Sequence, residues 1–419
     1  VYDRIDAALT TVFTGYDRVT DTGKITVIAG EDDLTDTLLE GQRGTVFTDR
    51  TPFYATMGGQ QGDTGVICGK NGTFAVEETI KLRGGKVGHV GVMTAGMLSA
   101  GEEVTLSVDA EKRAATCKDH SATHLLQKAL RTVLGSHVEQ KGSLVTPTRL
   151  RFDFAHFQPM TADEIAEVER LVNAQIAADL PVTTEEMSVE QAKKSGAMAL
   201  FGEKYGDTVR VVSIGDYSKE LCGGTHVAHT GQIALFKIVS EAGIAAGVRR
   251  IEALTGDNVL AFYHTLEQRM AHVASLLKAK DGEVEEKLAH LLAHERELTA
   301  ENDALKSKLA QSALGDVLSQ VREVGGVKLL SARVPEMDAA GLRELGDTLR
   351  DKLGEGVVVL VTATQDKVSI LAAATPGAVA RGAHAGNIVR AVAAVCGGKG
   401  GGRPDQAMAG GRDVDRADD

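Results

Sequence analysis

The sequence predicts a multidomain α+β protein with four parts: a small β-barrel, an α+β domain, an antiparallel helical coiled-coil spacer and a compact α/β C-terminal domain. A chain of 419 residues exceeds what one ordinary hydrophobic core accommodates. Short β-branched runs dominate one stretch of it, and leucines at helical spacing dominate another. The predicted boundaries are 1–23 for an N-terminal helical remnant, 24–113 for the barrel, 114–256 for the α+β domain, 257–323 for the spacer and 324–419 for the C-terminal domain.

Composition places the chain among globular proteins. Hydrophobic residues make up 43% and charged residues 25% of the sequence. No apolar run approaches the roughly 20 residues that a membrane-spanning helix needs, so we expect no membrane partner. The four dispersed cysteines favour free thiols over a disulfide framework, which predicts a cytoplasmic location. The chain opens on Val1 without a signal peptide, and we expect a fragment or a processed product.

The acidic balance does not exclude a nucleic-acid partner. The formal net charge is -12, but residues 325–419 contain twelve basic and twelve acidic side chains, so the acidic excess lies upstream. Between Lys367 and Pro404 there are five basic residues and no acidic one. Because local patches rather than totals steer phosphate binding, we expect any such contact in the C-terminal domain.

Residues 24–113 predict the barrel. Six short β-branched runs occur there, and Gly, Asp and Asn separate them at the spacing of a small barrel. Upstream, Tyr2–Phe13 is expected to form a short helix. The glycine-rich stretch Thr51–Gly65 lacks both the GK[ST] signature and the following helix of a phosphate-binding loop. We therefore interpret it as a turn between barrel strands.

Two short motifs almost a hundred residues apart dominate the α+β domain. His120 and His124 stand at i and i+4 of a predicted helix over 116–134 and therefore share one helix face. Cys222-Gly-Gly-Thr-His226 follows a strand-like run, and its paired glycines permit a tight bend. Either motif alone is more often a pair of helix histidines or a buried thiol. Together they offer a tetrahedral donor set that suits zinc.

Residues 257–323 carry an apolar stripe at helical spacing, opposite a charged face. This pattern is typical of a solvated coiled coil rather than of a binding site. Asp281-Gly282 interrupts the stripe and predicts the turn of an antiparallel pair.

A glycine run, Cys396–Gly411, lies near the end of the C-terminal domain. It is either a flexible tail or a phosphate nest, because Lys399 and Arg403 stand among many backbone N–H groups. A glycine run by itself is weak evidence for phosphate binding.

With their flanking residues, the two ligand motifs resemble the zinc motifs of the editing domain of alanyl-tRNA synthetases. The glycine run resembles the signature near the end of the C-terminal domain of that family, which a class of phosphoesterases shares. The resemblance spans nearly the whole chain, in the order barrel, editing domain, helical spacer and C-terminal domain. It is carried by the segments His120-Ser-Ala-Thr-His124-Leu-Leu, Gln140-Lys-Gly-Ser-Leu-Val, Arg151-Phe-Asp-Phe, Ala197-Met-Ala-Leu-Phe-Gly-Glu-Lys-Tyr, Leu221-Cys222-Gly-Gly-Thr-His226-Val and Gly397-Gly-Lys399-Gly-Gly-Gly-Arg403-Pro-Asp405.

The resemblance implies an editing enzyme that hydrolyses tRNA(Ala) mischarged with serine or glycine at its 3′ aminoacylated end. It implies Zn2+ as cofactor, a barrel of the translation-factor type and tRNA binding by the C-terminal domain. We find no stretch for the class II aminoacylation core, so this chain alone is not expected to activate alanine. The alternative is a non-catalytic tRNA-binding or dimerisation module with a structural zinc. A homodimer through the spacer or the C-terminal domain stays open.

The resemblance also assigns roles to single residues. The expected zinc ligands are His120, His124, Cys222 and His226, and the expected tRNA contacts are Lys399 and Arg403. Around the ester, the resemblance assigns Thr123 to the seryl side chain and Gln140 to the pocket. If four protein ligands close the coordination of the ion, the backbone N–H groups near Gly223 and Gly224 are the candidates for the oxyanion contact.

Thr123 also has a plainer interpretation, and two further side chains near the motifs need one. The Thr123 hydroxyl can bond its own helix backbone instead of the substrate. Asp153 is either a partner of a histidine ligand or a surface carboxylate. His229 lies outside the motif, and we expect it at the surface.

Overall fold

The computed structural model describes residues 1–198, 207–280 and 282–418, and it leaves out the side chains of 309–314. Two compact units, Val1–His272 and Val273–Asp419, are described separately. Most of the segment Ala197–Tyr205 and Asp281 of the expected turn lie outside the described residues.

Ten strands make up the N-terminal region of the first unit. They are β1 (Val12–Phe13), β2 (Thr20–Ala29), β3 (Leu34–Thr35), β4 (Thr37–Leu39), β5 (Arg43–Thr48), β6 (Arg50–Thr51), β7 (Gly65–Cys68), β8 (Gly72–Leu82), β9 (Lys86–Ser99) and β10 (Glu103–Val108). Six of them form a closed antiparallel ring in the order β10-β7-β8-β9-β5-β2, because β10 also pairs with β2. The closed ring leaves its six strands without a free edge. Ile25, Val46, Ile67, Phe74 and Leu106 fill its core. The predicted barrel is confirmed.

The segment before the barrel is not the predicted helix. Only a 3-10 turn, Tyr2–Arg4, is helical. Strand β1 pairs in parallel with β6, and Ile5 and Leu9 pack against Phe47 of the barrel. Contacts with the barrel rather than helical hydrogen bonds order this segment.

The α+β region follows, and its described residues form four helices and seven strands. They are α1 (Ala110–Leu134), β11 (Gln140–Val145), β12 (Leu150–Ala155), α2 (Ala162–Ala177), β13 (Val182–Ser188), α3 (Val189–Lys194), β14 (Thr208–Ile214), β15 (Ser218–Leu221), β16 (Phe236–Ala245), β17 (Val248–Thr255) and α4 (Gly256–Leu276). The strands form two antiparallel sheets, β11-β12-β17-β16 and β13-β14-β15.

Helix α1 is the central element of this region. The Asp109 side chain caps its N-terminus by accepting from Lys112 N, and most of its residues from Thr116 to Leu130 are buried. Leu125 and Leu126 join the same core as Phe152 of β12. A helix that is buried on most sides has little freedom to rotate. The side chains that α1 directs toward the Cys222–His226 turn are therefore held in place.

A polar junction connects α1 to the glycine-rich loop between β6 and β7. The guanidinium of Arg113 forms a buried ion pair with Asp63 and also donates to Pro52 O at 2.7 Å. In the same loop, Gln61 N donates to Val145 O at 2.9 Å, and Val145 N donates to Gly59 O at 2.7 Å. The loop is therefore fixed to α1 and to β11.

The second unit contains the rest of the elements. They are α5 (Val284–Leu318), β18 (Arg322–Val324), β19 (Val327–Arg333), α6 (Ala339–Leu353), β20 (Gly356–Ala363), β21 (Val368–Ala374), α7 (Pro376–Ala380), α8 (Ala385–Val395), β22 (Lys399–Gly402) and β23 (Gln406–Gly411). The sheet order is β18-β19-β20-β21-β23-β22. Strands β19 and β20 pair in parallel, and the other neighbours are antiparallel.

The glycine run forms the last two strands of the sheet, with β22 at the edge, and its interpretation as a flexible tail is wrong. Strand β22 pairs with β23, and α8 lies against it. A Cβ on Gly386 of α8 would stand 2.2 Å from Gly402 O, and one on Gly398 would stand 1.9 Å from Gly410 O. Glycine is needed at these two positions because the backbones approach too closely for any side chain.

Long helices fill the predicted spacer. Along α5, Leu291, Leu298 and Leu305 are each about half exposed, at 52%, 50% and 52%. The apolar stripe is present, and the antiparallel coiled-coil pairing stays a prediction. Within the part of the chain that the structure describes, no helix is both long and apolar enough to cross a membrane.

Candidate metal centre

Three imidazoles and one thiol converge at the end of β15. His120 and His124 come from α1, and Cys222 and His226 come from the turn after β15. Their ligand atoms all lie within 4.8 Å of one another. Cys222 Sγ is 3.4 Å from His120 Nε2 and 3.3 Å from His226 Nε2. The structure thus brings together all four residues that the sequence proposed as ligands.

Each imidazole is held by a hydrogen bond at its other nitrogen. His120 Nδ1 is 2.8 Å from Gln60 Oε1, and His124 Nδ1 is 2.6 Å from Glu220 Oε2. His226 Nδ1 is 3.0 Å from Ser121 Oγ. Such bonds fix ring orientation and leave Nε2 available to a metal.

The donor set fits a zinc ion. His124 Nε2 is buried and has no hydrogen-bond partner among the described residues, which is costly unless a cation or a donor occupies the centre. Three imidazole nitrogens and one thiolate within 4.8 Å of one another are a donor set that suits zinc rather than magnesium or calcium.

The electrostatics favour the metal-binding protonation state at Cys222 and His226, and the protonated form at His124. Burial alone would raise the pKa of the Cys222 thiol, but the neighbouring histidines, His120 first, hold it well below its usual value. Burial and the charge of His120 lower the pKa of His226 to about 3. Against the effect of burial, Glu220 and Cys222 raise the pKa of His124 well above its usual value. A thiolate and a neutral His226 are therefore expected at neutral pH.

The two glycines of the turn have different roles. Neither has a positive φ, so the bend does not depend on the left-handed region that favours glycine. A Cβ on Gly224 would stand 2.0 Å from His120 Cε1, whereas one on Gly223 would meet only Met57 Cε, at 3.6 Å. Gly224 is required by the closeness of the histidine ring. Its N–H donates to Cys222 Sγ at 3.4 Å, a contact that stabilises the thiolate.

A clamp that the sequence did not reveal holds the same turn. Arg210 Nη1 donates to Cys222 O at 3.1 Å and to Gly224 O at 2.8 Å. Its guanidinium lies 4.0 Å from the ring centroid of Tyr16, whose hydroxyl donates to Gly223 O at 2.8 Å. Tyr16 belongs to the segment that the sequence assigned to an N-terminal remnant, and no local motif indicated its role.

A cavity of about 280 Å³ opens beside the centre and includes His120, His124 and Cys222 in its wall. Thr123 and Gln140 also line it. Thr123 Oγ1 donates to Asp119 O at 2.8 Å, which is the bond to the helix backbone that the plainer interpretation predicts. Gln140 Nε2 donates to Ser143 Oγ at 3.0 Å.

The glycine-rich loop forms another wall of the cavity. Tyr54, Met57 and Gly58 line it, and Gln60 is fully buried against the ligands. The interpretation of this stretch as a simple turn between barrel strands misses that contact. Polar side chains such as Gln60 and Asp63 within a glycine-rich loop were the only signal, and a local pattern does not say where they point.

Both interpretations of Asp153 are wrong, and His229 lies at the surface as expected. Asp153 is buried and binds Arg250 through two bonds of 2.7 and 2.8 Å. Glu220, which sequence reasoning did not single out, is the carboxylate that contacts a histidine of the centre. The His229 side chain is 53% exposed.

The two predicted tRNA contacts do not share a cavity. Lys399 lines a cavity of about 510 Å³ together with Lys367 and Arg412. Arg403 lies beyond the end of β22, where Nε is 3.3 Å from Asp405 Oδ1. A carboxylate thus offsets the charge of Arg403. Asp366 is the acidic residue in the wall of the Lys399 cavity.

Sequence models of known families match three parts of the chain. The model described as tRNA synthetases class II (A) matches residues 2–112. The model described as Threonyl and Alanyl tRNA synthetase second additional domain matches residues 209–252, and the DHHA1 domain matches residues 326–419.

Similar full-length proteins match almost the whole chain. Alanine–tRNA ligase 1 of Lachnoclostridium phytofermentans is 58% identical over 98% of this chain and 47% of its own length. The alanine–tRNA ligase of Thiobacillus denitrificans is 51% identical over 96% of this chain and 46% of its own length. The chain belongs to the alanyl-tRNA synthetase family. It spans about half the length of the curated relatives it matches.

One solved structure is similar to part of the chain. The crystal structure of the C-Ala domain from Aquifex aeolicus alanyl-tRNA synthetase covers 23% of this chain and 86% of its own, with 29% identity and a TM-score of 0.22. The class II (A) match places part of the synthetase model within residues 2–112 of this alanyl-tRNA synthetase chain. The expectation that it carries nothing of the aminoacylation part is corrected to that extent.

Proposed function

We propose that this part of an alanyl-tRNA synthetase hydrolyses tRNA(Ala) mischarged with serine or glycine at the centre of His120, His124, Cys222 and His226. The observation that carries the proposal is the cavity of about 280 Å³, whose wall contains three of these residues. A structural zinc site is normally closed off by its ligands, whereas a catalytic one opens onto substrate space. Here the ligands face a cavity that also contains Thr123 and Gln140.

The reaction is hydrolysis of the ester between an amino acid and the terminal ribose. It needs a water at the carbonyl, a donor for the oxyanion and a test for the wrong amino acid. Zinc, when bound, would polarise the carbonyl or lower the pKa of a water, provided that a coordination position opens. The backbone N–H of Gly223, at the cavity wall, is the favoured oxyanion donor, because the N–H of Gly224 faces the Cys222 sulfur.

Thr123 supplies the test for serine. Its single hydroxyl proton goes to Asp119 O, so towards the cavity this oxygen acts as an acceptor. A seryl hydroxyl can donate to it, and an alanyl methyl group cannot. A site that pairs a substrate hydroxyl discriminates more strongly than one that only measures size. Gln140 keeps its side-chain oxygen and a second N–H for the polar groups of the aminoacyl-adenosine.

Binding of tRNA is proposed for the C-terminal domain. Lys367, Lys399 and Arg412 surround one cavity, and the adjoining glycines bring the backbone close to it. Cations grouped in this way attract a phosphate backbone without reading its sequence. Arg403 is the weaker of the two contacts first predicted, because Asp405 lies beside it.

A structural zinc is the second candidate function for the centre. Four protein donors fill a tetrahedral site, and the hydrogen bonds at all three Nδ1 atoms suit a rigid closed site. In that case the chain would be a tRNA-binding or dimerisation module without hydrolytic activity.

Incubation of the chain with Ser-tRNA(Ala) in the presence of zinc separates these functions. The editing function predicts release of serine well above the uncatalysed rate, and no release would contradict it. For Cys222→Ala, lost activity in a folded chain supports a catalytic centre. Lost folding together with lost activity supports a structural one. Ala-tRNA(Ala) is the control substrate and should be spared.

A further inference from the structure

The side chain of Gln60 is fully buried between the two halves of the metal centre. Its Oε1 is 2.8 Å from His120 Nδ1 and 2.9 Å from Thr225 N, and its Nε2 donates to Thr225 Oγ1 at 2.8 Å. It belongs to the loop between β6 and β7, which is part of neither ligand motif. Three bonds from one amide thus join the barrel to α1 and to the Cys222–His226 turn.

These contacts determine the proton position on His120. A backbone N–H can only donate, so the Gln60 atom facing Thr225 N is the side-chain oxygen. The same oxygen faces His120 Nδ1, and two acceptors cannot bond, so Nδ1 carries the proton. The lone pair of His120 is therefore on Nε2, which is 3.4 Å from Cys222 Sγ.

We propose that Gln60 is a positioning residue of the metal centre. Its oxygen fixes the Nδ1–H form of His120 and holds the histidine helix and the cysteine turn at ligand distance before a metal arrives. The role of Gln60 in metal binding rests on the proposed function. Its hydrogen bonds and the tautomer of His120 are properties of the metal-free chain. Residues that orient a metal-bound histidine in this way contribute 10–100-fold to metal affinity.

The proposal gives the barrel a role at the centre. Gln60 lies in a loop that the Arg113–Asp63 ion pair and the bonds to Val145 hold in place. The position of the amide therefore depends on the barrel and on β11, and the ligand motifs alone do not set it. A chain with both motifs but without this loop should bind zinc more weakly.

The test compares Gln60→Leu with Gln61→Leu in the full chain. Gln61 is the adjacent residue of the same loop, and it is exposed, so its substitution is the matched control. Zinc affinity is measured by competition with a chromogenic chelator. The tautomer of His120 is read from the ¹⁵N shifts of histidine-labelled, metal-free protein. Thermal unfolding with and without zinc reports folding and the stability gained on metal binding.

For Gln60→Leu we expect a 10–100-fold loss of zinc affinity and loss of the single Nδ1–H form of His120, with Gln61→Leu unchanged. Gln60→Glu keeps the acceptor oxygen and should restore both. If Gln60→Leu does not fold, Gln60→Asn replaces it, because its shorter side chain keeps the amide but does not reach His120.

The proposal is overturned if Gln60→Leu, or Gln60→Asn in its place, keeps the tautomer and the zinc affinity of the control. That holds even if the variant is less stable, because a merely structural residue would change stability alone. If the unaltered chain binds no zinc, the proposed function fails. The tautomer measured on the metal-free chain then decides the role of Gln60 independently.

Discussion

The metal centre and the basic cavity of the C-terminal domain are built in opposite ways. The centre collects buried histidines from α1 and half-buried ligands from a turn about a hundred residues later, and a third segment supports them through Gln60. The basic cavity consists largely of glycines from neighbouring strands, with cations at its wall, and it contains exposed Lys399. The first arrangement is specific and sensitive to single changes. The second works through summed charge, which salt screens.

The largest effect is expected at the thiolate. Cys222→Ala removes the single anionic donor of the four ligands, and zinc affinity should fall by several orders of magnitude, with hydrolysis of Ser-tRNA(Ala) lost. Metal analysis after dialysis measures the first result and a deacylation assay the second. Cys68→Ala, at an exposed barrel position, is the control and should bind zinc normally. Retained zinc in Cys222→Ala would remove this residue from the centre.

A smaller loss is expected at the carboxylate behind His124. Glu220→Ala removes the acceptor 2.6 Å from His124 Nδ1, and zinc affinity should fall 10–100-fold. Glu220→Gln keeps an acceptor oxygen and should lose less. The same chelator competition applies to both variants. Equal affinities in Glu220→Ala and the unaltered chain would show that the supporting bonds add nothing, and the contrast with the basic cavity would weaken.

The hydroxyl of Thr123 should matter for one substrate only. Thr123→Val removes a hydrogen-bond acceptor worth about 1 kcal/mol, so hydrolysis of Ser-tRNA(Ala) should fall roughly fivefold. Hydrolysis of Gly-tRNA(Ala) should change little, because glycine has no hydroxyl to pair. Thr123→Ser preserves the oxygen and is the matched control. Equal losses with both substrates would assign the residue to helix α1 rather than to substrate recognition.

The smallest single-residue effects are expected in the basic cavity. Lys399→Ala should weaken tRNA binding. The slope of log affinity against log salt concentration should become shallower by about one, because about one fewer ion is released on binding. Lys367→Ala should behave alike, and Arg403→Ala should do less because Asp405 lies beside it. Filter binding over a range of salt concentrations measures the slopes. An unchanged slope in Lys399→Ala with Lys367→Ala would exclude the cavity from the interface.

Where the sequence pattern was local, it was sufficient. The β-branched runs between residues 24 and 113 predicted the barrel. The spacing of His120 and His124 placed both on one face of α1. Each of these features depends on residues a few positions apart, which share hydrogen bonds or a face in regular secondary structure.

Where the outcome depended on distant contacts, the sequence misled or was silent. Residues 2–13 contain a helix-like pattern, but pairing with the barrel competes with helix formation and prevails. The glycine run was open to interpretation as a tail. It forms strand β22, and helix α8 packs closely against this strand because the glycines have no side chains. No local sequence motif identifies Gln60, Glu220 or Tyr16 as contacts of the ligand residues and their turn.

The sequence by itself determined the chemistry: which four side chains can donate to zinc, and which lysines and glycines can face a phosphate. The tertiary structure alone decided what holds those groups. It selected Gln60 and Glu220 as the partners of two ligand histidines and Arg210 as the clamp of the cysteine turn. The reason is physical. A donor atom is a property of one residue, but a hydrogen bond between distant residues exists only after the core and the strand registers have fixed both ends.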